Sequence, residues 1–227
     1  MNELEYSIES VSARSVSLSI KRNLYLFIKR GFDIVLSLIG VVFLIPISVI
    51  IKIAYILDKD YNSIFYTQDR IGKNGKIFRL YKYRSMIPNA DDELKRILKN
   101  NKRLAKEYRI NKKLRNDPRI TKIGRIIRRF SVDELPQIIN ILKGDMSFIG
   151  NRPYLPREID DMGQYYDDII KTKPGLTGYW QVSGRSDVTF DYRLKLEKYY
   201  SNYCGLKMDI KIFFKTFKAV FGGKGAK

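Results

Sequence analysis

An apolar segment in the first quarter of the chain constrains the fold more than any other feature. Ile34–Ile51 is a run of 18 residues without a formally charged side chain. A helix of this length approaches the thickness of the hydrocarbon core of a bilayer, so the segment is a candidate membrane element. It begins about thirty residues into the chain and lacks a small-residue cleavage site, so we expect a retained segment rather than a removable signal peptide.

Two features of this segment bear on its topology. Pro46 lies inside it, where it removes a backbone hydrogen bond and favours a bend. Lys29 and Arg30 flank one end and Lys52 flanks the other, whereas a spanning helix prefers its positive charge on the cytoplasmic side. We therefore predict a re-entrant helix over residues 29–57, with its break at Pro46. A proline-kinked spanning helix is the alternative.

The charged and reactive residues limit the chemistry. The net charge of +19 attracts anions, and nucleic acid, anionic lipid and phosphorylated substrates are the candidate partners. The absence of histidine excludes Ser-His-Asp and Cys-His nucleophile pairs, and the single cysteine, Cys204, excludes an intramolecular disulfide framework. Catalysis would have to use carboxylates, Lys, Arg, Tyr, hydroxyl groups or a hard cation such as Mg²⁺.

The segments on either side of the apolar run differ in character. Residues 1–28 begin with a serine-rich stretch and are predicted to be a flexible arm. Residues 58–227 are predicted to form the catalytic part, on the cytoplasmic face of the membrane. Within it, two aromatic and β-branched runs around Gly72–Gly75 indicate a hairpin. Residues 89–114 have helical spacing of leucines and charges. The expected fold class is α+β, mainly helical.

The end of the chain has the pattern of an amphipathic helix. Phenylalanines and an isoleucine recur at helical spacing, and lysines line another face. Such a helix suits the headgroup interface of a membrane, and packing of the aromatic face on the protein core is the alternative. The apolar positions are Ile210, Phe213, Phe214, Phe217 and Phe221.

Two adjacent acids in the middle of this basic chain have two interpretations. Asp133 and Glu134 follow a basic run and precede Pro136. Ser131 and Glu134 fit a capping box, in which Glu134 would fold back to the backbone of Ser131. The alternative is catalytic: phosphoryl transfer requires positioning, cationic clamps and a metal rather than a histidine base, and a carboxylate can itself be the nucleophile.

Several longer motifs resemble those of the bacterial sugar transferases, the monotopic polyprenyl-phosphate hexose-1-phosphate transferases. The motifs are "KRGFDIVLS", "YKYRSM", "RFSVDELPQIINILKGDMSFIGNRP", "KPGLTGYWQVSGRSD" and "DIKIFFKTFKAVF", and together they cover about residues 28–225. The resemblance implies transfer of a sugar-1-phosphate from a UDP-sugar to polyprenyl phosphate, with release of UMP. It also implies membrane lipids as partners, possible downstream glycosyltransferases and the cytoplasmic face of a bacterial inner membrane.

The resemblance also implies roles for individual residues. Asp133 matches the nucleophile and Glu134 its partner, with Mg²⁺ bound beside them. Arg128 and Arg185 match arginines that contact phosphate. Arg152 and Pro153 match a Pro-Arg-Pro segment associated with nucleotide recognition, in which Asn151 here replaces the first proline, and Ile45 precedes Pro46 where serine is frequent. The closing third of the chain resembles members that transfer glucose or galactose.

Two other functions compete with this expectation. A membrane-tethered nucleic-acid-binding module would use the net charge and the tyrosine-rich basic segments, and a non-catalytic scaffold would bind lipid. Neither accounts for the paired acids, so we expect an enzyme without a nucleic-acid partner.

Overall fold

A long helix, a β-hairpin and a series of short helices make up the protein in a computed structural model that describes residues 3–111, 114–183 and 188–221. The long helix is α1 (Glu3–Leu57). The shorter ones are α2 (Ala90–Asn100), α3 (Lys102–Asn111), α4 (Lys122–Arg129), α5 (Gln137–Lys143), α6 (Ile159–Met162), α7 (Tyr166–Ile169), α8 (Tyr179–Ser183), α9 (Phe190–Tyr203) and α10 (Leu206–Phe221). The strands are β1 (Phe65–Ile71), β2 (Ile77–Tyr83), β3 (Ser147–Ile149) and β4 (Gly175–Thr177). The predicted α+β, mainly helical class is confirmed.

Helix α1 contains the apolar segment. Its part Ile20–Leu57 is long and apolar enough to cross a membrane, with a mean hydropathy of 3.0 in its most apolar window. Pro46 lies inside the helix and does not end it, so a break there stays a prediction. Because α1 begins at Glu3, no element boundary separates residues 28 and 29, and the division into 1–28, 29–57 and 58–227 also stays a prediction.

The two sides of α1 have different surroundings. One side packs along the rest of the protein, and Gly40 approaches Ile138 of α5 so closely that a Cβ atom would lie 2.8 Å from its Cδ1. The other side exposes large apolar side chains. The buried residues are Asp33, Ser37, Leu44, Ile51 and Tyr55, and the exposed ones include Val42, Phe43, Ile45, Val49 and Ile50.

The predicted hairpin is confirmed and is locked to α5. Strands β1 and β2 pair antiparallel from Phe65↔Tyr83 to Ile71↔Ile77. On the free edge of β2, the fully buried Asn140 of α5 donates from Nδ2 to the Arg79 carbonyl at 2.8 Å and accepts the Tyr81 N–H at 3.0 Å. Because one amide side chain satisfies two strand groups, α5 is fixed in position along β2.

A second small sheet, beyond the single hairpin that was expected, joins distant parts of the chain. Strands β3 and β4 pair in parallel, with Ser147 opposite Gly175 and Ile149 opposite Thr177. Helix α10 covers this sheet with Ile212, which is 1% exposed. The sheet therefore fixes the segment that follows β3, which contains Arg152.

The helix predicted over residues 89–114 is divided in two. Asn101 leaves the helical conformation, with φ −136° and ψ 99°, and its Oδ1 accepts the Leu104 N–H at 3.1 Å. Asn101 thus ends α2 and caps α3, since an asparagine side chain competes well for the free N–H groups of a helix start.

The predicted apolar face of α10 is shared between the core and the surface. Phe213 packs beside the buried Ile212, whereas Ile210, Phe214 and Phe217 are exposed. The side chain of Phe221 lies outside the described residues. The exposed group is compatible with the expected interfacial role, which stays a prediction.

Candidate active site

The paired acids lie on a single turn of 3₁₀ helix, Val132–Glu134, between α4 and α5. Thr121 caps α4 by accepting the Gly124 N–H at 2.8 Å. Gly124 permits α4 to touch the backbone of Ser85, since a Cβ atom there would lie 1.9 Å from the Ser85 carbonyl oxygen. This close approach places the end of α4, with Arg128, and the acids against the end of β2.

The capping-box interpretation of Ser131 and Glu134 is wrong. Ser131 has φ 56° and ψ 21°, in the left-handed region, and its side chain makes no capping hydrogen bond. The Glu134 carboxylate turns instead to β2, where its Oε1 accepts a hydrogen bond from Lys82 Nζ at 2.8 Å. A serine in this uncommon conformation, two residues before Asp133, marks the start of the turn that presents the acids.

Asp133 is a buried carboxyl group among charges. It is 7% exposed. Burial raises the pKa of Asp133 to about 6, and the charge of Glu134 adds to the rise, while Lys82 and Arg128 oppose it. Loss of hydration disfavours the charged form, so the carboxylate is ionised at neutral pH yet poorly solvated. A poorly solvated anion is a stronger nucleophile than one in water.

The pKa of Glu134 is shifted in the opposite direction from that of Asp133. Burial acts to raise its pKa, but the Lys82 ammonium, followed by Arg152 and Arg70, holds the pKa of Glu134 below its usual range. The two neighbouring carboxyl groups are therefore separated in acidity, which is the pattern expected of acids with different roles.

Arginines from two other elements reach the same site. Arg70 of β1 donates from Nη1 to the Pro153 carbonyl at 2.9 Å and from Nη2 to Gln68 Oε1 at 2.6 Å. Burial and the nearby charge of Arg152 lower the pKa of Arg70 to about 10. Two guanidinium groups close enough to repel each other form a natural receptor for a multiply charged anion.

A buried carboxyl group supports the segment that carries Arg152. Glu197 of α9 is 1% exposed, and its Oε1 accepts the Arg152 backbone N–H at 3.1 Å. Burial raises the pKa of Glu197 to about 8. The preceding Asn151, where the resemblance leads one to expect proline, donates from Nδ2 to Ser201 Oγ at 2.6 Å. The asparagine therefore links the segment that carries Arg152 to α9 by a hydrogen bond.

The structure brings together most of the residues predicted from the sequence. Asp133, Glu134, Arg128 and Arg152 act electrostatically on one another, and Pro153 is held by Arg70. Pro46 belongs to the apolar part of α1 rather than to this cluster. Arg185 lies outside the described residues.

Sequence reasoning missed Lys82 and Arg70. In the hairpin register Tyr66 pairs with Lys82 and Arg70 with Phe78, so Arg70 and Lys82 lie on one face. The signal was available: on that face Lys82 follows the buried Phe78 and Leu80 at a spacing of two. A lysine that follows two buried residues on the inward face of a strand is a candidate functional residue.

Few of the described side chains near Asp133 and Glu134 could coordinate a metal ion. Among the described residues no group of three or more Asp, Glu, Cys or His side chains forms a metal cage. Mg²⁺ is commonly bound by one or two carboxylates together with phosphate oxygens of a substrate. Asp133 and Glu134 fit that mode, because Lys82 bonds only Oε1 of Glu134.

Comparisons with known proteins agree with this geometry. The family model of the bacterial sugar transferases matches residues 24–223. The chain belongs to this family. The match includes α1 from Leu24 onward, the hairpin, the acids and α10, so the family resemblance extends over the site and the apolar helix.

Three relatives illustrate the range of the family. An undecaprenyl-phosphate galactose phosphotransferase of Salmonella typhimurium is 43% identical over 88% of this chain and 42% of its own length. The galactosyl transferase CpsE of Streptococcus agalactiae is 40% identical over 97% of this chain and 48% of its own. The exopolysaccharide production protein ExoY of Sinorhizobium fredii is 37% identical over 87% of both. The chain thus spans about half of the length of the first two relatives and most of ExoY.

Proposed function

We propose that this protein transfers a sugar-1-phosphate from a UDP-sugar to polyprenyl phosphate through a covalent intermediate on Asp133. An oxygen of Asp133 attacks the β-phosphorus of the donor, and the bond from that phosphorus to the bridging oxygen breaks. UMP leaves with the electron pair. A phosphate oxygen of the polyprenyl phosphate then attacks the same phosphorus, which frees the Asp133 carboxylate and yields the polyprenyl diphosphate sugar.

One observation carries the proposal: Asp133 is a buried carboxylate, with a pKa raised to about 6, at the centre of a cationic site. An anion approaches a diphosphate against repulsion, so the reaction requires cations around the nucleophile. Lys82 and Arg128 are near enough to act on the Asp133 charge. Arg70 and Arg152 lie on the side of Glu134, where a nucleoside diphosphate would be held.

Glu134 and Asp133 would hold Mg²⁺. When bound, the ion would neutralise charge on the diphosphate and so favour departure of UMP. Lys82 keeps Glu134 ionised, which preserves a carboxylate oxygen as a hard ligand. Glu134→Gln should therefore raise the Mg²⁺ concentration that supports half-maximal turnover. It should also lower the thermal stability slightly, because the ion pair with Lys82 is lost. An unchanged Mg²⁺ dependence would remove Glu134 from the metal site.

The donor and the pathway are proposed from the relatives. Three of them are named for transfer of galactose, and another for exopolysaccharide production, so a UDP-hexose is the first donor to test. A relative from Aeromonas hydrophila at 33% identity is named for N-acetylgalactosamine, so the donor panel should include the N-acetylated sugar. The lipid-linked product would be the substrate of downstream glycosyltransferases.

We place the protein on the cytoplasmic face of a bacterial inner membrane, with α1 as a re-entrant helix. Support comes from the contacts at the two ends of the apolar segment. Asp33 accepts hydrogen bonds from Ser147 Oγ and the Phe148 N–H, both at 3.0 Å. At the other end Ser48 Oγ lies 2.6 Å from the Tyr83 hydroxyl. Both ends of the apolar segment thus contact the part of the protein that follows α1, whereas the ends of a spanning helix lie on opposite sides of the bilayer.

Cysteine labelling tests this topology. In a Cys204→Ser background, single cysteines at the exposed positions Asn23 and Lys76 should react with a membrane-impermeant maleimide only when the cytoplasmic face is accessible. Labelling of the two positions from opposite faces would contradict the re-entrant arrangement.

A burst experiment tests the chemistry. Enzyme mixed with UDP-galactose and Mg²⁺, without polyprenyl phosphate, should release about one equivalent of UMP and retain the sugar phosphate. Asp133→Asn should abolish the burst, because an amide is a poor nucleophile. Asp191→Asn, at an exposed position on α9, is the matched control and should retain it. A full burst from Asp133→Asn would refute the proposal.

A further inference from the structure

A second cation-rich feature lies away from the acids. A cavity of about 570 Å³ is bounded by α1, the residues around β3, the segment before β4 and the start of α10. Neither acid lines it, and neither do Lys82, Arg128 and Arg152. Its volume is in the range of sites that hold small ligands.

The cavity has more positive charge than the acidic side chains of the described residues neutralise. Its lining contains seven cations and one carboxylate, Asp33, which accepts from Ser147 and Phe148. Lys29 pairs with Asp209, and Lys171 pairs with Asp168 at 2.5 Å. The seven cations are Lys21, Arg22, Lys29, Arg30, Lys73, Lys171 and Lys173.

Four of these cations form no salt bridge in the described part of the chain: Lys21, Arg22, Lys73 and Lys173. Arg30 is used within the protein, because it donates to the carbonyls of Ile141 at 2.6 Å and Leu142 at 2.8 Å. Burial, followed by the charge of Arg30, lowers the pKa of Lys173, and the charge of Asp33 opposes this shift. An anion in the cavity would likewise favour the charged form of Lys173.

Exposed apolar side chains lie beside these cations. Leu26 of α1 and Leu206 of α10 line the cavity. Phe27, next to Leu26, is 78% exposed, and Ile210, one turn after Leu206, is 49% exposed. A cationic lining beside exposed apolar side chains matches an amphiphile that has an anionic head.

We propose that this cavity binds the headgroup of an anionic phospholipid of the bilayer, with its acyl chains along Leu26 and Leu206. A free phosphate shares the head chemistry but would leave Leu26, Leu206 and most of the volume without contacts. Polyprenyl phosphate shares it too, but the acceptor must meet the phosphorus at Asp133, which does not line the cavity. The inference rests on the membrane location given above and not on the covalent step.

Lipid binding to the purified full-length protein in detergent tests the inference. Phosphatidylglycerol and phosphatidylcholine are titrated separately, and bound lipid is measured by native mass spectrometry. Phosphatidylglycerol should bind at least tenfold more tightly than phosphatidylcholine. Arg22→Gln with Lys173→Gln should remove this preference, as should the independent pair Lys21→Gln with Lys73→Gln. The control pair Lys99→Gln with Lys106→Gln, at exposed positions outside the cavity, should retain it.

Competition separates the possible sources of the phosphate. Inorganic phosphate at the concentration of the lipid should not displace phosphatidylglycerol; equal competition would reassign the cavity to a free anion. Full lipid preference in both cavity pairs would also overturn the inference. A third result would also overturn the inference. In it, equimolar polyprenyl phosphate displaces phosphatidylglycerol, and the cavity variants have a raised KM for polyprenyl phosphate. The UMP burst should be unchanged in the cavity variants, and its absence from the wild type would count against the proposed reaction while leaving the lipid result standing.

Discussion

The acid pair and the cavity of about 570 Å³ are both lined by cations, but the cations of the two regions have different partners. At the acid pair, Lys82 bonds Glu134 and the charges of Lys82 and Arg128 act on the buried Asp133. In the cavity, Lys21, Arg22, Lys73 and Lys173 form no salt bridge among the described residues. The one carboxylate there, Asp33, accepts hydrogen bonds from Ser147 and Phe148. We therefore assign chemistry to the acid pair and binding to the cavity.

This difference shows why a net charge of +19 does not by itself indicate a function. The same residue types support a reaction where they surround a carboxylate that can act as nucleophile, and support anion binding where the one carboxylate, Asp33, is already hydrogen-bonded to Ser147 and Phe148. Variants that change the charge of one region at a time therefore test whether the two regions have different roles.

The largest expected effect comes from Asp133→Asn, which should lower turnover at least a thousandfold while stabilising the protein. The pKa of Asp133 is higher in the folded chain than its usual value, so the ionised group lowers stability at pH above about 6. Removing that charge should raise the free energy of unfolding by about 1–3 kcal/mol at pH 7.5. Thermal denaturation measured beside turnover checks both changes, and a lower melting temperature would contradict the burial of a costly charge.

Arg128→Ala should lower turnover by about a hundredfold, in the range for loss of one group that stabilises developing charge. Arg129→Ala is the matched control, since Arg129 is the adjacent exposed arginine of α4 and lies over the ring of Phe130. Comparable losses in the two variants would show that the general charge of α4, rather than the position of Arg128, matters.

Lys82→Gln should shift the pH dependence of the reaction. The rate of the UMP burst should fall as the pH decreases through about 6, because protonated Asp133 cannot attack. Lys82 lowers the pKa of Asp133, so its removal should move this acid limb to higher pH. Lys76→Gln, at an exposed position before β2, should leave the limb in place. A limb that did not move in Lys82→Gln would mean that another group controls it.

The smallest effect is expected at the turn before the acids. Ser131→Ala should change the free energy of unfolding by less than about 0.5 kcal/mol, since the serine side chain makes no capping bond. A loss of about 1 kcal/mol or more, measured by denaturant titration, would restore the capping interpretation.

Local patterns predicted much of this fold. The Asn74–Gly75 turn lies between two β-rich runs, and the hairpin forms there as expected. The helix over residues 89–114 was misjudged because leucine spacing does not reveal that Asn101 caps a new helix. The sheet of β3 and β4 was missed because three-residue parallel strands carry almost no periodic signal.

The acids were found through their motif, whereas their surroundings depend on tertiary structure. Lys82 and Arg70 face the site only because Asn140 fixes α5 along β2 and the hairpin register places both cations on one face. The cavity is harder still to predict, since Arg22 and Lys173 are far apart in sequence and meet only when α1 packs beside the segment before β4.

Locating the covalent sugar phosphate tests the central claim most directly. Enzyme treated with UDP-galactose and Mg²⁺, without acceptor, would be quenched and digested, and the peptides analysed by mass spectrometry. The account predicts a hexose phosphate on Asp133, lost on addition of polyprenyl phosphate and absent from Asp133→Asn. A stable, acceptor-sensitive adduct on any other residue, or release of UMP only when acceptor is present, would contradict it.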